Sequence, residues 1–139
     1  MAFLSSIDIS GSALTAQRLR MDVISANIAN AETVDPVTGE PYRRRVCELS
    51  ERRSFSAELN QAMSSGVKVR RIVEDASDFE LVFDPDSPFA DANGYVRMPN
   101  VDEVEELIDL ISATRSYEAN VTALNATKSM ALKALEIRG

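Results

Sequence analysis

Histidine is absent from this chain of 139 residues, and Cys47 is its only cysteine. The first absence removes the usual proton shuttle at neutral pH and the commonest metal ligand. The second rules out an intrachain disulfide and leaves Cys47 reading as a strand packing residue rather than a nucleophile. No phosphate-binding loop, dinucleotide fingerprint or cysteine-rich metal spacing occurs. The sequence therefore offers no candidate catalytic residue, metal site or cofactor-binding motif, and enzyme chemistry is disfavoured. An apolar run of about 18 residues, the length that spans a bilayer, is also missing. The opening Met1-Ala2-Phe3-Leu4-Ser5-Ser6-Ile7-Asp8 lacks the basic start and continuous apolar stretch of a secretory signal. These absences predict no direct membrane insertion and, if the protein leaves the cytoplasm, a route without a cleaved signal peptide.

What is present is a foldable composition, 45% hydrophobic and 27% charged, close to that of an average globular chain. The net charge of −7 is zero over residues 1–31, −4 over 32–100 and −3 over 101–139. Phosphate contacts need a clustered positive surface, so nucleic acid is not an expected partner.

From Phe3 to Asn30 the apolar positions Phe3, Ile7, Leu14, Met21, Ile24 and Ile28 recur at helical spacing with no proline between them. Ile7, Leu14, Met21 and Ile28 are seven apart, the period of a seam turned toward a partner helix, and Gly11 is its weak point. The tract Thr33 to Pro41 holds two prolines and a glycine among small polar residues and predicts a loop. Tyr42 to Leu49, Gly66 to Val73 and Phe79 to Phe83 read as strands, Phe55 to Met63 as a short helix, and Asn93-Gly94 as a turn. A second long helix opens after Pro99-Asn100 with Asp102, Glu103, Glu105, Glu106 and Asp109 and closes with Lys128, Lys133 and Arg138, a polarity that complements the helix dipole. Its expected seam is Leu107, Leu110, Thr114, Tyr117, Val121, Leu124, Lys128, Ala131 and Leu135. The fold class that follows is mainly α with a small β module: long N- and C-terminal helices form a coiled-coil-like layer, with a short, mostly β insertion between them. The expected divisions are 1–34, 35–99 and 100–139.

Three groups invite functional readings. Arg43, Arg44 and Arg45, continued by Arg52 and Arg53, form either a solvated strand face or a patch meeting the seven acids of Glu74 to Asp91 on a neighbouring subunit. Asn27 suits a buried polar contact with a partner, and Asn30 suits a helix end. Glu105 and Glu106 are adjacent, so they point to different sides of the helix and read as first-turn dipole partners rather than an acid–base pair. Two glycosylation-type sequons, at Asn120 and Asn125, fall inside the second helix and are discounted.

Ser12-Ala13-Leu14-Thr15-Ala16-Gln17 and Ala26-Asn27-Ile28-Ala29-Asn30-Ala31 at one end resemble a signature of the axial proteins of the bacterial flagellum. Ser116-Tyr117-Glu118-Ala119-Asn120-Val121 and Leu124-Asn125-Ala126-Thr127-Lys128 at the other resemble the motif shared by rod and hook proteins. Between them Pro41-Tyr42-Arg43-Arg44, Gly66-Val67-Lys68-Val69 and the run Gly94 to Val101 are similar to the proximal rod subunits of the FlgC type. The resemblance implies a basal-body rod subunit in the periplasm, exported unfolded through the flagellar type III apparatus. It would assemble helically with copies of itself and with other rod proteins, enclose the export channel and transmit torque. The expected subunit-interface residues are Ile7, Leu14, Met21, Ile24 and Ile28 on the first helix and Leu107, Leu110, Tyr117, Val121 and Leu124 on the second. Asn27, Asn30, Asn120 and Asn125 would fix register, and Arg43, Arg44 and Arg45 would meet acids. A soluble helical adaptor or export chaperone of that system would use the same helices and is the alternative.

Overall fold

The computed structural model describes residues 2–52 and 66–136. The expected helix at Phe55 to Met63 and the residue Arg53 lie outside the described residues. Helix α1 spans Ala2–Ala29, strands β1 and β2 span Arg45–Glu51 and Val67–Glu74, β3 and β4 span Glu80–Phe83 and Tyr95–Met98, and helix α2 spans Glu103–Glu136. The fold is mainly α with a small β module, as the periodicity predicts. Gly11 does not interrupt α1, because the packing of a helix against its neighbours outweighs the propensity of one glycine.

Local chemistry sets the helix ends. At the close of α1 the Asn30 amide nitrogen and side-chain Nδ2 both donate to the Ala26 carbonyl, at 3.2 and 2.8 Å. The chain then enters the proline tract, where Val34 bridges Pro41 and Asp35 Oδ1 accepts the Val37 amide at 2.8 Å. Asp102 caps α2, its Oδ1 accepting the Val104 and Glu105 amides at 2.8 and 3.1 Å.

The strands form two separate antiparallel pairs, β1 with β2 and β3 with β4. The first pair packs on α1 and carries a bulge at Glu48/Leu49. The second is a hairpin whose connection is longer than a two-residue turn. Asp91 Oδ1 gathers the amides of Asn93 and Tyr95 there, and Gly94 supplies a φ of 81°.

Helices α1 and α2 run antiparallel, since Asn27 meets Glu106, Arg20 meets Asp109 and Met21 meets Thr114. Ala16 and Ile24 of α1 and Ala113 of α2 are buried, as are Ala31 and Val96. Ile7, Leu14, Met21 and Ile28 are half-buried, and so are Leu110, Tyr117, Val121 and Leu124. Four of the expected seam positions are exposed instead: Leu107, Thr114, Lys128 and Leu135. Leu107 is 49% exposed, while its neighbour Glu106 is 1% exposed. The inward face of α2 runs through Glu106, Leu110, Ala113 and Tyr117, so the seam begins one residue earlier than the apolar pattern indicates.

Candidate functional site

The largest fully buried side chains among the described residues are polar, Glu106 and Asn27. A buried polar group is costly unless every hydrogen-bonding position is met, and here they are met by three different parts of the chain. Asn27 Nδ2 donates to the Arg45 carbonyl at 2.8 Å and to Glu106 Oε2 at 3.0 Å. Its Oδ1 accepts the Arg45 amide and the Tyr42 hydroxyl, both at 3.0 Å. The amide of Asn27 thus continues the edge of β1 as a further strand residue would, and ties it to both helices.

Arg44 completes the cluster. Its Nε donates to Glu106 Oε1 at 2.6 Å, and its other nitrogens lie 3.6 Å from Asp75 Oδ2 and 3.7 Å from Glu105 Oε1. Burial opposes the guanidinium charge, but the Glu106 bond and the three carboxylates outweigh it and raise the Arg44 pKa. Asn100 Oδ1 accepts the Arg44 amide at 2.9 Å, and its Nδ2 donates to Ser77 Oγ at 2.7 Å. Asp75 is held below its ordinary carboxylate range, first by the Ser77 amide and with help from Arg44. Burial raises the Tyr42 pKa.

The arginine cluster therefore divides. Arg44, expected to face acids of a neighbour, meets acids of its own chain, because Glu106 and Asp75 converge on it from α2 and the end of β2. Arg43 donates to the Asp75 and Ser77 carbonyls at 2.8 and 3.2 Å and stacks 4.3 Å from the Phe79 ring centre. Arg45 is exposed, reaching Glu74 at 4.0 Å and lying 5.6 Å from the Tyr42 ring centre. A cleft beside the hub brings Arg43, Arg45 and Arg97 together with Asp35, Glu40 and Glu74. Its formal charges cancel, so it has no bias toward an anionic ligand.

Asn27, expected to make a polar contact with a partner, has its amide engaged inside the chain. Asn120 Nδ2 donates to the Ser116 carbonyl of its own helix at 2.8 Å, and Asn125 is exposed. Cys47 is half-buried in β1, and burial raises its pKa, which disfavours the reactive thiolate. No group of three His, Cys, Asp or Glu residues suited to a metal ion occurs among the described residues. Sequence reasoning missed Glu106 and Asn100. Glu106 was hidden among the first-turn acids of α2; the signal available was its place four residues before Leu110, on the inward face.

The outward face of α2 is different in kind. Val104, Leu107, Ile108 and Ile111 recur at three- and four-residue steps and are 66%, 49%, 62% and 54% exposed. Near the other end Met130, Leu132 and Leu135 are 62%, 53% and 69% exposed. Grouped apolar exposure of this kind is a feature of interaction surfaces.

Residues 7–36 match the family described as Flagella basal body rod protein, and residues 92–137 match Flagellar basal body rod FlgEFG protein C-terminal. The chain is 56% identical to the flagellar basal-body rod protein FlgC of Bacillus subtilis, over 99% of both chains. The chain belongs to the FlgC family of flagellar basal-body rod proteins. It is also 46% identical to FlgC of Salmonella typhimurium and 43% identical to FlgC of Borreliella burgdorferi, each over 99% of this chain and 98% of the relative. FlgC proteins are structural subunits of the proximal rod and not enzymes. In this FlgC chain the first family match covers most of α1 with the start of the loop after it, and the second covers β4 and α2. The two matched regions are those that the Asn27–Glu106 contact joins.

Proposed function

We propose that this chain packs helically in the periplasmic part of the rod, against copies of itself and other rod proteins. Helices α1 and α2 form the layer around the export channel, and the β module of residues 35–99 reaches outward to neighbours. The chain arrives unfolded through the flagellar export apparatus, and the divisions 1–34, 35–99 and 100–139 correspond to inner helix, outer module and inner helix. The observation that carries this reading is the exposed stripe Val104, Leu107, Ile108 and Ile111. Covering apolar surface contributes roughly 25 cal/mol per Å², and in an ordered array the same contact recurs at every subunit.

The half-buried seam residues Ile7, Leu14, Met21, Ile28, Leu110, Tyr117, Val121 and Leu124 would contact neighbours along the rims of the helix pair, with Ile24 buried behind them. Asn30, Asn120 and Asn125 would fix register, and Arg43 and Arg45 would meet acids on the adjoining subunit. The buried polar hub suits torque transmission, because it holds both helices and the module in one register. The deciding experiment replaces the native gene with versions lacking residues 1–30 or the residues from Leu110 onward. Both should fail to enter basal bodies and should abolish motility; normal rods and swimming with either deletion would overturn the assignment.

A further inference from the structure

Helix α2 has 34 residues and α1 has 28, so one must overhang the other. The contacts of Asn27 with Glu106, Arg20 with Asp109 and Met21 with Thr114 set the register. Carried back at about 1.5 Å per residue on each helix, that register brings Ala2 level with about residues 127 to 133. Leu132 lies at about that level and Leu135 past it, and they are 53% and 69% exposed. Lys128, Leu132 and Leu135 share one face at four- and three-residue steps, which gives the overhang an apolar surface with a positive charge beside it.

The start of the same helix is its complement. The stripe Val104, Leu107, Ile108 and Ile111 is exposed and points away from the inward face of Glu106 and Ala113. Glu103 lies one turn before Leu107 and is also exposed. Between the two ends, the exposed residues from Ser112 to Ser129 include no large aliphatic or aromatic side chain. The apolar surface of α2 is therefore segregated to its ends, with an acidic flank at the first and a basic one at the second.

We propose that the overhanging Leu132–Leu135 end of one copy docks on the Val104–Ile111 stripe of a second copy, with Lys128 facing Glu103. The inference rests on the reading of this chain as an assembling rod subunit, and it names one of the contacts between copies. The two surfaces differ, so the contact is heterologous and does not close on itself as a two-fold dimer does. Contacts of this type generate rings where the rotation closes and helical arrays where it does not. Opposite charges at the two ends favour this register and disfavour pairing of like ends.

The test uses basal bodies from cells whose own gene carries Cys47→Ser with Ile108→Cys and Leu135→Cys. Within one chain the two introduced thiols are about 40 Å apart along a single helix, so a short bis-maleimide can join them only between chains. The expected result is cross-linked multimers of this chain from the double-cysteine protein and none from either single-cysteine protein. Motile cells whose rods give no such product, or give products only with other rod proteins, would overturn the self-contact while leaving the rod assignment intact. Absence of the unaltered chain from basal bodies would overturn the rod assignment as well. Should the cysteine variants fail to assemble, charge reversal decides: Lys128→Glu should lower incorporation several-fold, and adding Glu103→Lys should restore it. No loss, or loss without rescue, would overturn the proposal.

Discussion

Asn27 Nδ2 donates to Glu106 Oε2 at 3.0 Å across 79 positions of sequence, and through that bond the two terminal helices hold each other in register. Glu106 is bound in turn by Arg44 at 2.6 Å, so the link reaches the start of β1 as well. The hub is a fully connected polar network, few apolar side chains are buried among the described residues, and truncating a member of the hub should cost more than truncating a half-buried leucine.

Asn27→Ala should destabilise the purified chain strongly. It leaves the Arg45 amide and carbonyl, the Tyr42 hydroxyl and one Glu106 oxygen without their partner, at about 1–3 kcal/mol for each buried group left unpaired. Asn27→Asp should be worse, since it places a second carboxylate against Glu106. Urea unfolding followed by circular dichroism measures both; a loss below that of a surface alanine substitution would show that the network is not a stabilising element.

Removing the charge of Glu106 while keeping its shape isolates the ion pair. Glu106→Gln removes one of three carboxylates around Arg44, whose side chain is 17% exposed, and its cost should approach that of breaking a buried pair on one side, about 3–5 kcal/mol. By contrast Asp109→Asn, which loses only the partly exposed pair with Arg20, should change stability by about 0–1 kcal/mol. Equal effects from the two substitutions would contradict this account.

Gly66 should resist substitution. Its φ is +119°, and a Cβ there would run into the Ser12 hydroxyl, which accepts the Val67 amide at 3.1 Å. Gly66→Ala should therefore cost about 1–3 kcal/mol from backbone strain, with a further loss as Ser12 is displaced. Ser12→Ala made together with Gly66→Ala relieves the clash but not the strain, so the double variant should recover only part of the loss. Thermal melts of the three proteins settle the point.

Stability should fall at both ends of the pH range, for reasons of opposite sign. The folded pKa of Asp75 lies below its ordinary 3.8, so its contribution is present above 3.8 and is lost as pH falls through the folded value. The folded pKa of Tyr42 lies above its ordinary 10.0, so its contribution is present below 10.0 and is lost as pH rises through the folded value. Asp75→Asn should flatten the acid limb of a stability profile and Tyr42→Phe the alkaline limb. A profile unchanged by either substitution would count against both assignments.

Hydrogen exchange in the dilute chain should be graded along the helix pair. The buried positions Ile24, Asn27, Glu106 and Ala113 cluster where α1 ends and α2 begins, whereas the end of α2 beyond residue 131 is exposed. Amides near the hub should be the slowest to exchange and those of Met130 to Glu136 the fastest, because local opening is easiest where little apolar surface is buried. Uniform protection along α2 would contradict this gradient.

The sequence by itself determined the elements. Apolar spacing specified two long helices, the proline tract ended the first, and β-branched runs marked the strands, because these signals act within a few residues of where they are written. The motifs at the two ends, in order, were enough to indicate the flagellar rod family. The tertiary structure decided which groups meet. Adjacent helix positions differ by about 100° around the axis, so whether Leu107 or Glu106 faces α1 depends on partners 79 and 62 residues away, Asn27 and Arg44. Apolar pattern favours the leucine; the buried amide and guanidinium favour the carboxylate, and the packed structure satisfies them. For the same reason Arg44 binds inside its own chain and Arg45 remains outside it, although the two are neighbours with the same side chain.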